Sequence, residues 1–211
     1  AAGNAVVFKP SEYTPGVGLW LAERFAAVVP EQPVFQVITG LGGTGAALCR
    51  AGVGKIGFTG STATGKQVMA ACAETLTPVL MELGGKDALL VDADADLDAA
   101  ADAAVWGGMS NAGQTCLGVE RVYVHTDVYD EFLTKLVACA GTLRAGTGAA
   151  KIGPITMPKQ IAIIRHHIED ALARGARALL GGADAIDGQF VQPTILVDVP
   201  EDAAAVTEET F

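Results

Sequence analysis

Ser110-Asn111-Ala112-Gly113-Gln114-Thr115-Cys116-Leu117-Gly118 sets one cysteine in a small, polar, glycine-containing loop. An apolar, strand-like run, Arg121-Val122-Tyr123-Val124-His125, follows soon after. Gly113 and Gly118 carry no side chain to keep a ligand off the backbone. A thiol held there can act as a nucleophile, with neighbouring N–H groups stabilising an oxyanion. The competing reading is packing, because cysteine is among the most buried residue types. Glu82 is the second residue with chemical promise. It follows an apolar strand and precedes Gly84-Gly85, so its carboxylate is either a solvated strand end or a general base at a domain junction.

Two glycine loops could seat a phosphate. Gly40-Leu41-Gly42-Gly43-Thr44-Gly45 is a literal G-x-G-x-x-G between a strand and a helix, yet no acid occurs between Glu31 and Glu74. The ordinary dinucleotide fingerprint needs one about 20 residues on, for the ribose 2′-OH. Gly60-Ser61-Thr62-Ala63-Thr64-Gly65-Lys66-Gln67 misses the P-loop at Gln67, where a Ser or Thr would bind magnesium. It remains a glycine and hydroxyl loop opening a helix, which suits a phosphate. Asp92, Asp94, Asp96 and Asp98 alternate like a calcium loop, but Leu97 and Ala103 occupy its glycine and glutamate positions. These acids read as a helix cap.

The elements that must position these residues alternate between strand and helix. Ala5–Phe8 reads as a buried strand. Thr14 and Pro15 open a helix whose Val17, Trp20, Leu21, Phe25 and Val28 share one apolar face, closed by Pro30 and Pro33. Strands are expected at 34–38, 55–58 and 78–81, with helices at 44–50 and 65–74 between them. A buried strand at 88–91, an alanine-rich helix from Asp96, a strand at Val122, helices at 127–143 and 158–173, and strands at 178–180 and 191–197 complete the pattern. Such alternation implies right-handed β-α-β units and a parallel sheet. Gly84-Gly85 is the best domain boundary, giving residues 1–83 and 84–211.

Composition narrows the function classes. Half of the 211 residues are hydrophobic and 18% are charged, which favours a packed core over disorder. A net charge of −10 argues against a nucleic-acid partner, and no run approaches the length of a membrane span. Cys49, Cys72, Cys116 and Cys139 are scattered without C-x-x-C pairs. That suits a reduced, cytoplasmic protein and no metal site. His166 and His167 are adjacent on a helix and point about 100° apart, so they do not form a ligand pair. The chain starts without a methionine and stops at Glu208-Glu209-Thr210-Phe211, and both ends read as cut.

Five ordered stretches carry a resemblance. They are Asn4–Glu12, Phe58–Thr62, Met81–Lys86, Asn111–Cys116 and Glu208–Phe211. In order and spacing they resemble the aldehyde dehydrogenase superfamily, over essentially the whole chain. The implied fold is α/β: part of a Rossmann-like parallel-sheet cofactor domain (1–83) followed by part of an α/β catalytic domain (84–211). The resemblance implies Cys116 as nucleophile and Glu82 as general base. Lys9 and Glu12 would hold the adenosine ribose, with Ser11 beside them. Gly60 and Ser61 would sit at the pyrophosphate, and the turn at Gly40 and Gly42 would approach the adenine end. Leu83 would line the cofactor site, Glu209 would grip the nicotinamide ribose, and Phe211 would lie against the nicotinamide.

The implied reaction is oxidation of an aldehyde to a carboxylic acid through a cysteine thiohemiacetal and thioester. The implied cofactor is NAD, with NADP possible, because a carboxylate at Glu12 accepts a ribose 2′-OH and repels a 2′-phosphate. A homodimer or homotetramer is implied for the full-length protein. The family's oxyanion asparagine would precede Ala1, so the fragment alone is expected to be inactive. A coenzyme A-acylating member is the nearest alternative, and Glu82 counts against it. A catalytically silent nucleotide-binding protein is the other, and the presence of both Cys116 and Glu82 counts against that.

Overall fold

The computed structural model describes residues 3–211; Ala1 and Ala2, which carry the abrupt start noted in the sequence, lie outside them. The chain divides into two compact units, the residues up to Leu83 and Gly84–Phe211. Helices alternate with mostly parallel strand pairs, an α/β architecture.

In the first unit, β1 (Val6–Phe8) leads to α1 (Pro15–Val28) and pairs in parallel with β2 (Phe35–Val37). Helix α2 (Gly42–Cys49) precedes β3 (Ile56–Gly60). Helix α3 (Thr62–Ala73) then crosses over to β4 (Val79–Leu83), which runs parallel to β3 in register from Ile56↔Val79 to Gly60↔Leu83. Cys49, Ala71 and Cys72 form the buried nucleus where α2 meets α3. Two expectations fail here. Strand β1 is exposed rather than buried, and the apolar face of α1 leaves Val17, Trp20 and Val28 open to solvent. The residue that α1 buries is Gly18, whose missing side chain lets the helix sit on Phe8 and Pro10. Thr14 occupies the N-cap position, with Pro15 in the first turn, but its hydroxyl makes no capping bond.

The second unit pairs β5 (Asp87–Val91) in parallel with β6 (Val119–Val124). Between them run α4 (Leu97–Met109) and the thiol loop; α5 (Tyr129–Ala140) and α6 (Pro158–Ala173) follow. Asp96 caps α4 by accepting from the Asp98 and Ala99 amides, as the alternating acids suggest. Small residues explain the packing of α4 on α5. Ala101 and Ala104 let the axes approach, and Phe132, fully buried, fills the space between. Strand β5 has one buried face only, with Leu90 exposed.

Beyond α6 the pairing turns antiparallel. Strand β7 (Arg177–Leu180) pairs with β10 (Ile195–Val197), and β8 (Ile186–Asp187) with β9 (Phe190–Val191). The single strand expected over 191–197 is therefore two, broken around Pro193, which has no N–H to offer a ladder. A short helix, α7 (Ala204–Thr207), precedes the last described segment, Glu208–Phe211. Among the described residues, no helix is long and apolar enough to cross a membrane.

Candidate active site

Several of the singled-out residues meet within the first unit. Lys9 leaves β1 and runs past the start of α2, its Cδ 3.7 Å from where a Cβ on Gly45 would stand. Its ammonium donates to the Pro10 carbonyl at 2.9 Å and lies 3.7 Å from the Glu12 carboxylate. The turn holding Gly40 and Gly42 and the Lys9–Glu12 pair therefore lie side by side. Ser11 shapes the bend before α1, accepting the Tyr13 amide on its hydroxyl at 3.3 Å.

Gly60 and Ser61 stand where β3 ends and α3 begins. Ser61 caps α3, accepting the Thr64 amide at 3.3 Å. The free amides and positive end of that helix then face outward, the arrangement that favours an anion. Leu83 pairs with Gly60 across the ladder and lies over Gly65. Glu82, one residue earlier on β4, is exposed. Among the described residues its carboxylate makes no ion pair or side-chain hydrogen bond.

The thiol loop belongs to the second unit, and its backbone is unusual. Asn111 (φ 52°), Ala112 (φ 60°) and Gly113 (φ 77°) are consecutive left-handed residues. Only glycine adopts that region freely, and other residues pay roughly 1–2 kcal/mol there. Asn111 and Gln114 hold the turn by exchanging amide-to-carbonyl bonds, each 2.9 Å. Gln114 also accepts the Thr156 amide at 2.8 Å and donates to the Pro154 carbonyl at 3.3 Å. Before the loop, the last turn of α4 holds Gly107-Gly108, and a Cβ on Gly108 would stand 2.8 Å from the Val119 carbonyl.

The result is a thiol carried outward. Cys116 is exposed, while Cys49 and Cys72 are buried and Cys139 is half-buried beside Asp102. The Cys116 and Leu117 amides bond to no acceptor among the described residues. Two stability changes follow from this backbone. Ala112→Gly should raise the free energy of unfolding by about 0.5–1 kcal/mol, since the relieved strain exceeds glycine's entropic cost. Gly108→Ala should lower it by about 1–3 kcal/mol through overpacking against Val119. Urea unfolding of both variants checks the pair; the same sign for both would contradict the backbone description.

Glu209 and Phe211 lie in the last described segment, which is held from several sides. A Cβ on Gly84 would fall on the Glu209 carboxylate, so only glycine lets that acid fold in. Burial, aided by nearby Glu120, pushes the Glu209 carboxyl above its ordinary value, and the Lys86 ammonium works in the opposite direction. Lys86 pairs with Glu120 and donates to the Thr210 hydroxyl at 2.6 Å. Gln160 donates to the Thr210 carbonyl. His167 Nδ1 is 2.9 Å from the Thr210 hydroxyl oxygen. In the sequence Lys86 appears only as the end of the Met81–Lys86 stretch and His167 only as half of an unsuitable ligand pair, and neither Glu120 nor Gln160 stands out.

A cleft of about 610 Å³ runs beside this segment, bordered by β6, β10, Thr210 and Phe211 and touching the thiol loop at Ala112 and Gly113. Among the described residues, no three His, Cys, Asp or Glu side chains gather as a metal-ligand set.

The sequence profile of the Aldehyde dehydrogenase family matches residues 1–211. Glutarate-semialdehyde dehydrogenase of Pseudomonas putida is 42% identical over 220 residues, an alignment covering 100% of this chain and 45% of that protein. Succinate-semialdehyde dehydrogenase (NADP(+)) GabD of Escherichia coli is 44% identical over 221 residues, again 100% of this chain and 45% of the relative. A crystal structure described as an E. coli NADP dependent enzyme superposes with a TM-score of 0.94 at 42% identity, covering 99% of this chain and 45% of that one. The chain thus spans less than half the length of these relatives.

Proposed function

The chain belongs to the aldehyde dehydrogenase family, and we propose that the protein carrying it oxidises an aldehyde to a carboxylic acid with NAD(P)+. We assign the residues up to Leu83 to cofactor binding and those from Gly84 to catalysis. The observation that carries this reading is the thiol loop. Three left-handed residues present Cys116 to solvent, with two unbonded amides beside it.

The residues fit the cofactor chemically. Glu12, exposed at the end of the Lys9 pair, can accept ribose hydroxyls, and the capped start of α3 at Gly60-Ser61 suits a pyrophosphate. The notch at Gly84 seats a carboxylate, Glu209, suited to a second ribose, with Phe211 two residues on. When bound, the nicotinamide ring supplies the hydride acceptor.

Cys116 and Glu82 carry this chain's share of the remaining steps. The Cys116 thiolate adds to the aldehyde carbonyl, and the Cys116 and Leu117 amides stabilise the resulting oxyanion. Once hydride has left carbon, the acyl group remains on sulfur as a thioester. Glu82 takes a proton from water, the hydroxide attacks the thioester, and the thiolate departs, leaving the acid. Coenzyme A-acylating chemistry would not require that carboxylate.

A semialdehyde of a short dicarboxylic acid is the substrate class to try first, because two relatives are named for such substrates. A panel of these beside simple aldehydes, with NAD and with NADP, followed at the nicotinamide absorbance, tests the function. Absence of reduction with every pair would sink it. We further propose a cytoplasmic homodimer or homotetramer, on the four free thiols and the family resemblance.

Glu12 sets the cofactor preference. Its charge repels a 2′-phosphate, and Lys9, 3.7 Å away, offsets part of that repulsion. Glu12→Gln should therefore raise the NADP:NAD ratio of kcat/KM by about tenfold, a change of roughly 1.4 kcal/mol. An unchanged ratio would remove Glu12 from cofactor selection.

A further inference from the structure

The buried polar groups around Thr210 have no part in the steps above. His167 is only 2% exposed and Gln160 only 6%, the two buried polar residues of the described chain. Burying such groups is costly unless they are hydrogen-bonded, so each invites the question of what it holds. Both hold the same residue, Gln160 through the Thr210 carbonyl and His167 through its hydroxyl.

The hydrogen-bond directions can be worked out. Lys86 has only protons to give, so at Thr210 its ammonium donates and the hydroxyl oxygen accepts. The hydroxyl proton is then free for His167 Nδ1, 2.9 Å away. A neutral ring that accepts at Nδ1 carries its proton on Nε2. Among the described residues Nε2 makes no hydrogen bond; it stands 3.5 Å from a Glu208 carboxylate oxygen, where a proton is attracted and a bare lone pair would be repelled. Burial, and the Lys86 ammonium after it, hold the His167 pKa below its ordinary value, against the pull of Glu208. The ring is therefore neutral near pH 7.

We propose that His167 is a positioning residue: its Nε2-protonated ring accepts the Thr210 hydroxyl and, with Lys86 and Gln160, fixes the Glu208–Phe211 segment so that Glu209 presents its carboxylate to the cofactor ribose. This rests on the proposed function, which places Glu209 at that ribose. Thr210 directly follows Glu209, and a rotation of its backbone would swing the acid out of the Gly84 notch. His167 touches neither substrate nor cofactor; it acts through Thr210.

The test uses the whole protein that carries this chain. Long-range proton–nitrogen NMR of the imidazoles reads which nitrogen of His167 bears the proton, whatever the activity. The proton belongs on Nε2 in the wild type, and Thr210→Val should relax that preference. Kinetics then read the function. His167→Leu and Thr210→Val should each raise KM for the cofactor about tenfold, the effect of one lost buried hydrogen bond, with KM for the aldehyde within about twofold. His167→Asn, whose amide oxygen can replace Nδ1 as acceptor, should recover most of the loss. His166→Asn, on the exposed neighbour, should do nothing.

A proton found on Nδ1, a wild-type cofactor KM in the Leu and Val variants, or no rescue by Asn would each overturn the proposal. A wild-type protein that binds neither cofactor and oxidises no aldehyde would overturn the proposed function instead, with the proton position still read.

Discussion

Cys116→Ala should abolish aldehyde oxidation, lowering kcat by at least about 10⁴-fold, the scale seen when a covalent nucleophile is removed. Alanine keeps the loop's backbone and removes only the exposed sulfur, leaving nothing to attack the carbonyl. The matching expectation is that Cys49→Ala, Cys72→Ala and Cys139→Ala preserve most of the activity. The Cys49 and Cys139 thiols are held in the protonated, unreactive form. Burial and then neighbouring Cys72 raise the Cys49 value; burial and then Asp102 raise that of Cys139. Cys49 and Cys72 are 5% and 1% exposed, so their variants will cost stability through small cavities rather than chemistry. Timed alkylation separates the classes before any kinetics. Cys116 should label first, and aldehyde or cofactor should slow that labelling. Normal turnover by Cys116→Ala would end the covalent mechanism.

Glu82→Gln should produce a different failure. The amide keeps the size of the carboxylate but cannot accept the water proton, so acylation proceeds and deacylation stalls. The expected record is a burst of reduced cofactor near one equivalent per site, then turnover slower by about 10²–10⁴-fold. The carboxylate suits this task because it stands exposed near the end of β4, unclaimed by any side chain among the described residues. Steady turnover at the wild-type rate would show that water is activated elsewhere. A missing burst with slow turnover would place Glu82 before the thioester rather than after it.

Local signals in the sequence were strong wherever one residue type forces one geometry. Pro158 and the periodic apolar residues after it define α6 to the residue, and Asp96 marks the cap of α4. The alternation of strand and helix gives the parallel pairs β1–β2, β3–β4 and β5–β6. The sequence is weaker where tertiary context decides. The apolar side of α1 looks like a core face, but what covers an apolar stripe is not a property of the stripe. The β8–β9 hairpin turns on Gly188-Gln189, with Gly188 left-handed at φ 56°, and strands of two residues each leave no alternation in the sequence to announce it. At the site, the motifs point to individual positions. The network behind them is a matter of long-range closure: Lys86 meets Glu120 across 34 positions, His167 meets Thr210 across 43 and Lys86 meets Thr210 across 124. Spacing patterns hold no information at those separations.

The double tie of Gln114 to the segment around Pro154 and Thr156 has a consequence in time rather than in space. It divides one short loop into two tiers of motion. The tier up to Gln114 is closed by its exchange with Asn111 and anchored to a distant part of the chain, so opening it must break several bonds together. The tier that carries the thiol has one internal bond, from the Gly118 amide to the Thr115 carbonyl at 3.0 Å. In deuterium exchange the Gln114 and Thr156 amides should thus be protected with the bulk of the unit, while those of Cys116 and Leu117 exchange through small local fluctuations. In the mechanism we propose, a thiol on such a perch adjusts to aldehydes of different shape without disturbing the frame that aims it.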